Sequence, residues 1–147
     1  MKLLSFLQDV GPDHQGRYLS DIWKFSDQQI EGTHDFIQWV FPLAEASAAV
    51  PGMPVLEPAE IDLIHKSSPA TMNLEKSAQW FLGFLARSKD WLRPHDHNHL
   101  RITRMIKSQR LLLGELAAES TRARVLQMAR KAKAPIDEVA YEHWRAA

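Results

Sequence analysis

Apolar residues in this 147-residue chain recur at three- and four-residue intervals, and the segments so patterned are separated by proline and glycine. Such spacing puts side chains on one side of an α-helix, with its period of ~3.6 residues. Tyr18, Leu19, Ile22 and Trp23 share a face in this way. So do Leu74, Ala78, Phe81, Leu82 and Leu85, and again Ile102, Met105, Ile106, Gln109, Leu112 and Leu113. No sustained polar–apolar alternation gives strands any support. The pattern predicts an all-α fold, one compact domain over residues 1–147 with about six to eight helices joined mostly by short turns.

Local signals set the expected boundaries. A first short helix carries Leu3, Leu4, Phe6 and Leu7 and stops at Gly11-Pro12. Ser26 with Gln29 has the form of a capping box, opening a third helix expected to run until just before Pro42. Pro42, Pro51, Pro54 and Pro58 with Gly52 make the connection between the third and fourth helices irregular, because proline lacks an N–H and fixes φ. Pro58 suits the first turn of the fourth helix, and Ser68-Pro69 opens a longer fifth. Asp96 is the expected N-cap of a sixth, with Gly114 as its stop. A seventh runs from Glu115 to about Lys133. Pro135 starts the last, which carries Ile136, Val139, Ala140 and Trp144.

Charge is balanced, with 18 Lys+Arg against 18 Asp+Glu, so no global field recruits nucleic acid or an anionic membrane. The absence of cysteine excludes disulfides, thiolate metal sites and a Cys nucleophile, and suits a reducing compartment. The opening apolar run is cut by Gln8 and Asp9 without a small-residue cleavage site, which argues against a signal peptide. The longest apolar stretch, Trp80 to Ala86, is far short of the ~20 residues a spanning helix needs. The expected location is the cytoplasm.

Two segments concentrate polar groups. On the sixth helix, His97, Arg101, Arg104 and Ser108 fall on one stripe, widened by Lys107 and Arg110. Neighbouring guanidiniums repel unless an anion sits among them, so this face asks for a carboxylate. Asp21, Glu31 and Asp35 could supply it internally, or a ligand could supply it from outside. Asn98 falls on the buried face and must be hydrogen-bonded, a structural role. On the third helix, Ile30, Thr33, Phe36, Ile37, Val40 and Phe41 form the core face, while Asp35 and Trp39 point away from it and His34 and Gln38 line the border. His95, His97 and His99 alternate, which sends neighbours to opposite sides of a helix, so no metal is expected there.

The string His34-Asp35-Phe36-Ile37-Gln38-Trp39-Val40-Phe41-Pro42-Leu43 resembles a signature of the opioid growth factor receptor conserved domain. A second string, His97-Asn98-His99-Leu100-Arg101-Ile102-Thr103-Arg104, is similar to that family's other strong motif, and the order is the expected one. Gly11-Pro12-Asp13, Gly16-Arg17 and Pro54-Val55-Leu56 resemble short bacterial-type members, so the likeness spans about residues 6 to 116, with C-terminal helices over 117–147. Phe36 stands where the family pattern has Tyr, and Leu82 where an aromatic is common. The resemblance implies an all-α domain and no catalytic role. In animals the family is associated with an enkephalin pentapeptide and with restraint of growth. Carried over by position, the expected binding residues are His34, Gln38, Trp39, His97, Arg101 and Arg104, with Asn98 and Asp35 structural.

Three functions follow as expectations. The first is a non-enzymatic binding domain for a short peptide or small anion, without cofactor, its arginines holding a carboxylate and Trp39 an apolar group. The second is an enzyme using His34 or His97 as general base. It lacks support from a nucleophile motif, a metal set or a Gly-rich phosphate loop. The third is nucleic-acid binding through the segment 101–133, which holds nine basic and two acidic residues but no recognition motif.

Overall fold

A computed structural model describes all residues, 1–147, and is helical throughout, with no strand. Nine helices follow one another: α1 Lys2–Leu7, α2 Leu19–Ile22, α3 Asp27–Gly32, α4 Ile37–Val40, α5 Pro58–His65, α6 Ser68–Arg87, α7 Asn98–Leu112, α8 Glu115–Lys131 and α9 Glu138–Ala146. None is long and apolar enough to cross a membrane. Contacts group the chain into two compact units, Met1–Ser77 and Ala78–Ala147, with α6 running through the boundary.

The count exceeds the expected range because the third expected helix is divided. The Ser26–Gln29 capping box forms as anticipated, the hydroxyl accepting the Gln29 N–H at 3.1 Å and the Gln29 amide oxygen accepting the Ser26 N–H at 2.8 Å. The helix then ends at Gly32, and Thr33 takes an extended conformation (φ −105°, ψ 127°). Glycine and a β-branched threonine in succession weaken the turn, and four residues later the chain resumes as α4. Of the residues expected on the core face, Ile30, Phe36, Ile37, Val40 and Phe41 are buried and Thr33, at the break, is half-buried.

In the first unit, α1 packs on α4 and α5. Polar side chains fasten these elements: the Glu60 carboxylate accepts the Leu4 N–H at 3.0 Å, and the Asn73 amide donates to the Leu7 carbonyl at 2.8 Å. Gly11 follows α1 as expected, and a Cβ there would lie 2.9 Å from the Ser5 Cβ, so the turn tolerates no side chain. The proline-rich connection is tied at its ends, where the Leu56 N–H donates to the Leu43 carbonyl at 2.9 Å.

In the second unit, α7 packs on both α8 and α9. The N-cap position of α7 falls to His97, one residue beyond the expected Asp96, whose carboxylate accepts the Asn98 N–H at 3.1 Å. Gly114 stops it with φ 108°. The last helix begins at Glu138 on an Asp137 cap, three residues beyond Pro135; of the apolar residues expected on it, Ala140 and Trp144 are buried and Val139 is 56% exposed. The centre of this unit is aromatic. Trp91 and Trp144 are both fully buried with centroids 6.4 Å apart, and His99 and Tyr141 meet the Trp144 ring edge-on. Both indole N–H groups here have a partner: Trp91 Nε1 donates to the Leu85 carbonyl at 2.9 Å and Trp144 Nε1 to the His99 carbonyl at 3.1 Å.

Candidate functional site

The first motif lies on the broken segment of the first unit, and the break changes what its side chains do. Trp39 is buried rather than turned out from the core. Its indole is covered on one side by Phe6, edge-on at 5.3 Å, and on another by His14, stacked at 5.9 Å with planes 6° apart. Asp35 sits in the non-helical step between α3 and α4, so it does not share a helical face with Trp39. Its carboxylate faces His14 Nε2 at 2.9 Å and the Arg17 guanidinium at 3.1 Å. Arg17 in turn donates through Nε to Asp13 at 2.7 Å. Partial burial opposes ionisation of Asp35, but hydrogen bonding and charge from Arg17, then His14, outweigh it and hold the carboxyl below its ordinary value.

Asp13 builds the loop that carries this network. One carboxylate oxygen accepts the backbone N–H groups of Gln15 and Arg17, both at 2.9 Å, and the Asp13 N–H donates back to the Arg17 carbonyl at 2.8 Å. His14 and Arg17 were not among the residues the motif pointed to. The signal for them was present in the turn-like string Asp13–Arg17, whose first and last residues are opposite charges four apart.

Two polar atoms of the first motif stand out. Gln38 is 3% exposed and its amide nitrogen donates to the His34 carbonyl at 3.4 Å, yet its Oε1 has no hydrogen-bond partner in the protein. Trp39 Nε1 is likewise buried and without a partner. His34 itself is exposed.

The second motif lies on α7 in the second unit, where the expected stripe is graded in depth. Arg101 and Ser108 are buried, Arg104 is intermediate, and the His97 side chain is 41% exposed. Asn98 is fully buried, as its position predicts, and its Oδ1 accepts from Arg101 at 3.3 Å within the same helix. The three alternating histidines face three different groups: His95 reaches Asp137 at 3.5 Å, His97 approaches Asp96 at 3.8 Å, and His99 Nε2 meets the Trp91 carbonyl at 2.7 Å. A carbonyl only accepts, so His99 carries its proton on Nε2.

The basic arc that continues from this stripe is largely answered within the second unit. Arg110 pairs with Glu115 and with Glu119 at 2.7 Å, and Arg122 pairs with Glu119. Donating to the Glu115 and Glu119 carboxylates raises the Arg110 pKa, and accepting from Arg110 lowers that of Glu119. The two acidic residues of the segment 101–133 are thus both engaged by its arginines. The same guanidiniums also hold the end of α9, donating to the Ala147 and Arg145 carbonyls at 2.9 and 2.8 Å.

Comparison with known proteins bears on the first motif, which lies inside the matched region, while the second at 97–104 lies beyond it. The family model of the opioid growth factor receptor (OGFr) conserved region matches residues 14–90. The opioid growth factor receptor of Rattus norvegicus is 31% identical over 129 residues, covering 74% of this chain and 21% of that protein. Opioid growth factor receptor-like protein 1 of Mus musculus is 31% identical over 125 residues, covering 71% of this chain and 26% of that protein. The chain thus spans about a fifth to a quarter of the length of these relatives. No solved structure matches.

Proposed function

Because this chain belongs to the opioid growth factor receptor conserved-region family, we propose that it is a non-enzymatic ligand-binding domain for a short peptide or small anion. The relatives are named as receptors, and recognition of a ligand is what is carried over here. The reading treats residues 1–147 as one such domain, located in the cytoplasm, which its lack of cysteine suits.

The observation that carries it is the pair of buried polar atoms on consecutive residues, Gln38 Oε1 and Trp39 Nε1, neither bonded within the protein. One accepts and the other donates. A peptide group presents the complement of each, its N–H for the amide oxygen and its C=O for the indole. Leaving such groups unbonded costs about 1–3 kcal/mol each, so a ligand that bonds them gains more than an exposed contact would give.

The test is calorimetry with short anionic peptides on the wild-type chain and on Trp39→Phe, which keeps an aromatic ring but loses the donor. Binding that weakens by about tenfold in the variant supports the reading. Absence of heat from wild type at about 1 mM peptide rejects it.

A further inference from the structure

The second unit contains a cavity of about 410 Å³ that neither motif touches. Its floor is Leu85 at the end of α6, Trp91 and Leu92 in the segment that follows, and Met128 near the end of α8. Ala86 and Ala132 with Lys89 and Lys131 complete the lining, and no carboxylate lines it. The nearest acidic residue in sequence, Asp90, lies 3.9 Å from Arg93 and forms no ion pair with Lys89. Neither lysine is within ion-pair distance of any acidic group of the protein, and both are exposed.

The chemistry of the lining narrows the occupant. The Trp91 N–H is already given to the Leu85 carbonyl, so the indole offers only its apolar ring. Met128 supplies a flexible, polarisable thioether that adapts to an unbranched chain. The volume lies within the ~300–1,000 Å³ of small-molecule sites. An apolar floor with two unneutralised ammonium groups complements a molecule with an apolar body and one negative end, with the lysine stems covering the first carbons of the chain. We propose that this cavity binds a free medium-chain aliphatic carboxylate, at a site independent of the one read from the two motifs.

The experiment uses octanoate, octylammonium and octanol on the whole chain, followed by calorimetry and by the ¹³C-methyl resonance of Met128. Octanoate is expected to bind one to one and shift that resonance, octanol to bind more weakly, and octylammonium not to bind. The Lys89→Gln/Lys131→Gln double variant, at exposed positions, is expected to lose about tenfold in octanoate affinity and much less in octanol affinity, which loses only stem contact. Ala86→Phe, which puts a ring at the cavity wall on an exposed position of α6, is expected to abolish both. Equal binding of octanoate and octylammonium overturns the proposal, since an apolar patch alone would explain it. So does octanoate binding that leaves Met128 undisturbed, or no octanoate binding at about 5 mM.

Discussion

The carbonyl of His99 accepts the indole N–H of Trp144 at 3.1 Å, and its imidazole stands perpendicular to that indole with centroids 5.5 Å apart. One residue of the second motif therefore joins the first turn of α7 to α9, and through Nε2 it also holds the Trp91 carbonyl. This histidine is a core residue. Its neighbour His97 is two-fifths exposed.

His99→Ala accordingly removes a buried ring and strands the Trp91 carbonyl. We expect a loss of about 3 kcal/mol in urea denaturation, whereas His97→Ala costs much less. Trp144→Phe keeps most of the packing and loses the hydrogen bond, at about 1–2 kcal/mol. A His99 variant as stable as wild type would remove the structural role assigned here.

Asp35 makes stability depend on pH. Its carboxyl is held below the ordinary value, chiefly by Arg17 and then His14 working against burial. A depressed folded-state pKa contributes stability above the unfolded value, and that contribution is lost as pH falls through the folded one. Asp35→Asn is therefore expected to cost about 1 kcal/mol at neutral pH, with the gap to wild type closing in acid. Denaturation midpoints measured at both pH values decide it, and an equal gap at each contradicts the ion-pair account.

Two glycines should respond oppositely to alanine. Gly114 has φ 108° with nothing near its missing Cβ, so Gly114→Ala costs only backbone strain, about 1–3 kcal/mol. Gly32, at the end of α3, has ordinary dihedrals and equally open space. Gly32→Ala should stabilise by about 0.5 kcal/mol by restricting the unfolded chain. Thermal melting of both variants checks the difference in sign.

Glu119 bridges Arg110 and Arg122, which also bind the last carbonyls of α9. Glu119→Gln frees both guanidiniums to move, so amide exchange at the end of α9 should speed up. Raising salt should produce a similar change in wild type, because the pairs are at the surface. Exchange rates in α9 that ignore both changes would show that the network holds nothing there.

The helical class, the capping box at Ser26, the Gly114 stop and the burial of Asn98 were all legible in the sequence, and the start of α7 to within a residue. Each is decided by residues within one or two turns of each other, where backbone sterics and hydrogen-bond reach leave few alternatives. The family was legible as well, and the first motif lies within the region its model matches. Division of the third helix was not. Gly32-Thr33 weakens a turn only slightly, and extended backbone there holds because Asp35 finds Arg17 and His14, 18 and 21 residues earlier. The burial of Trp39 under Phe6 and His14 depends on the same long-range placement. Local spacing sets which residues are apolar and where turns begin. Which groups meet across 20 or 50 residues is decided only when the whole chain packs, since a contact at that distance has no signature in either partner alone.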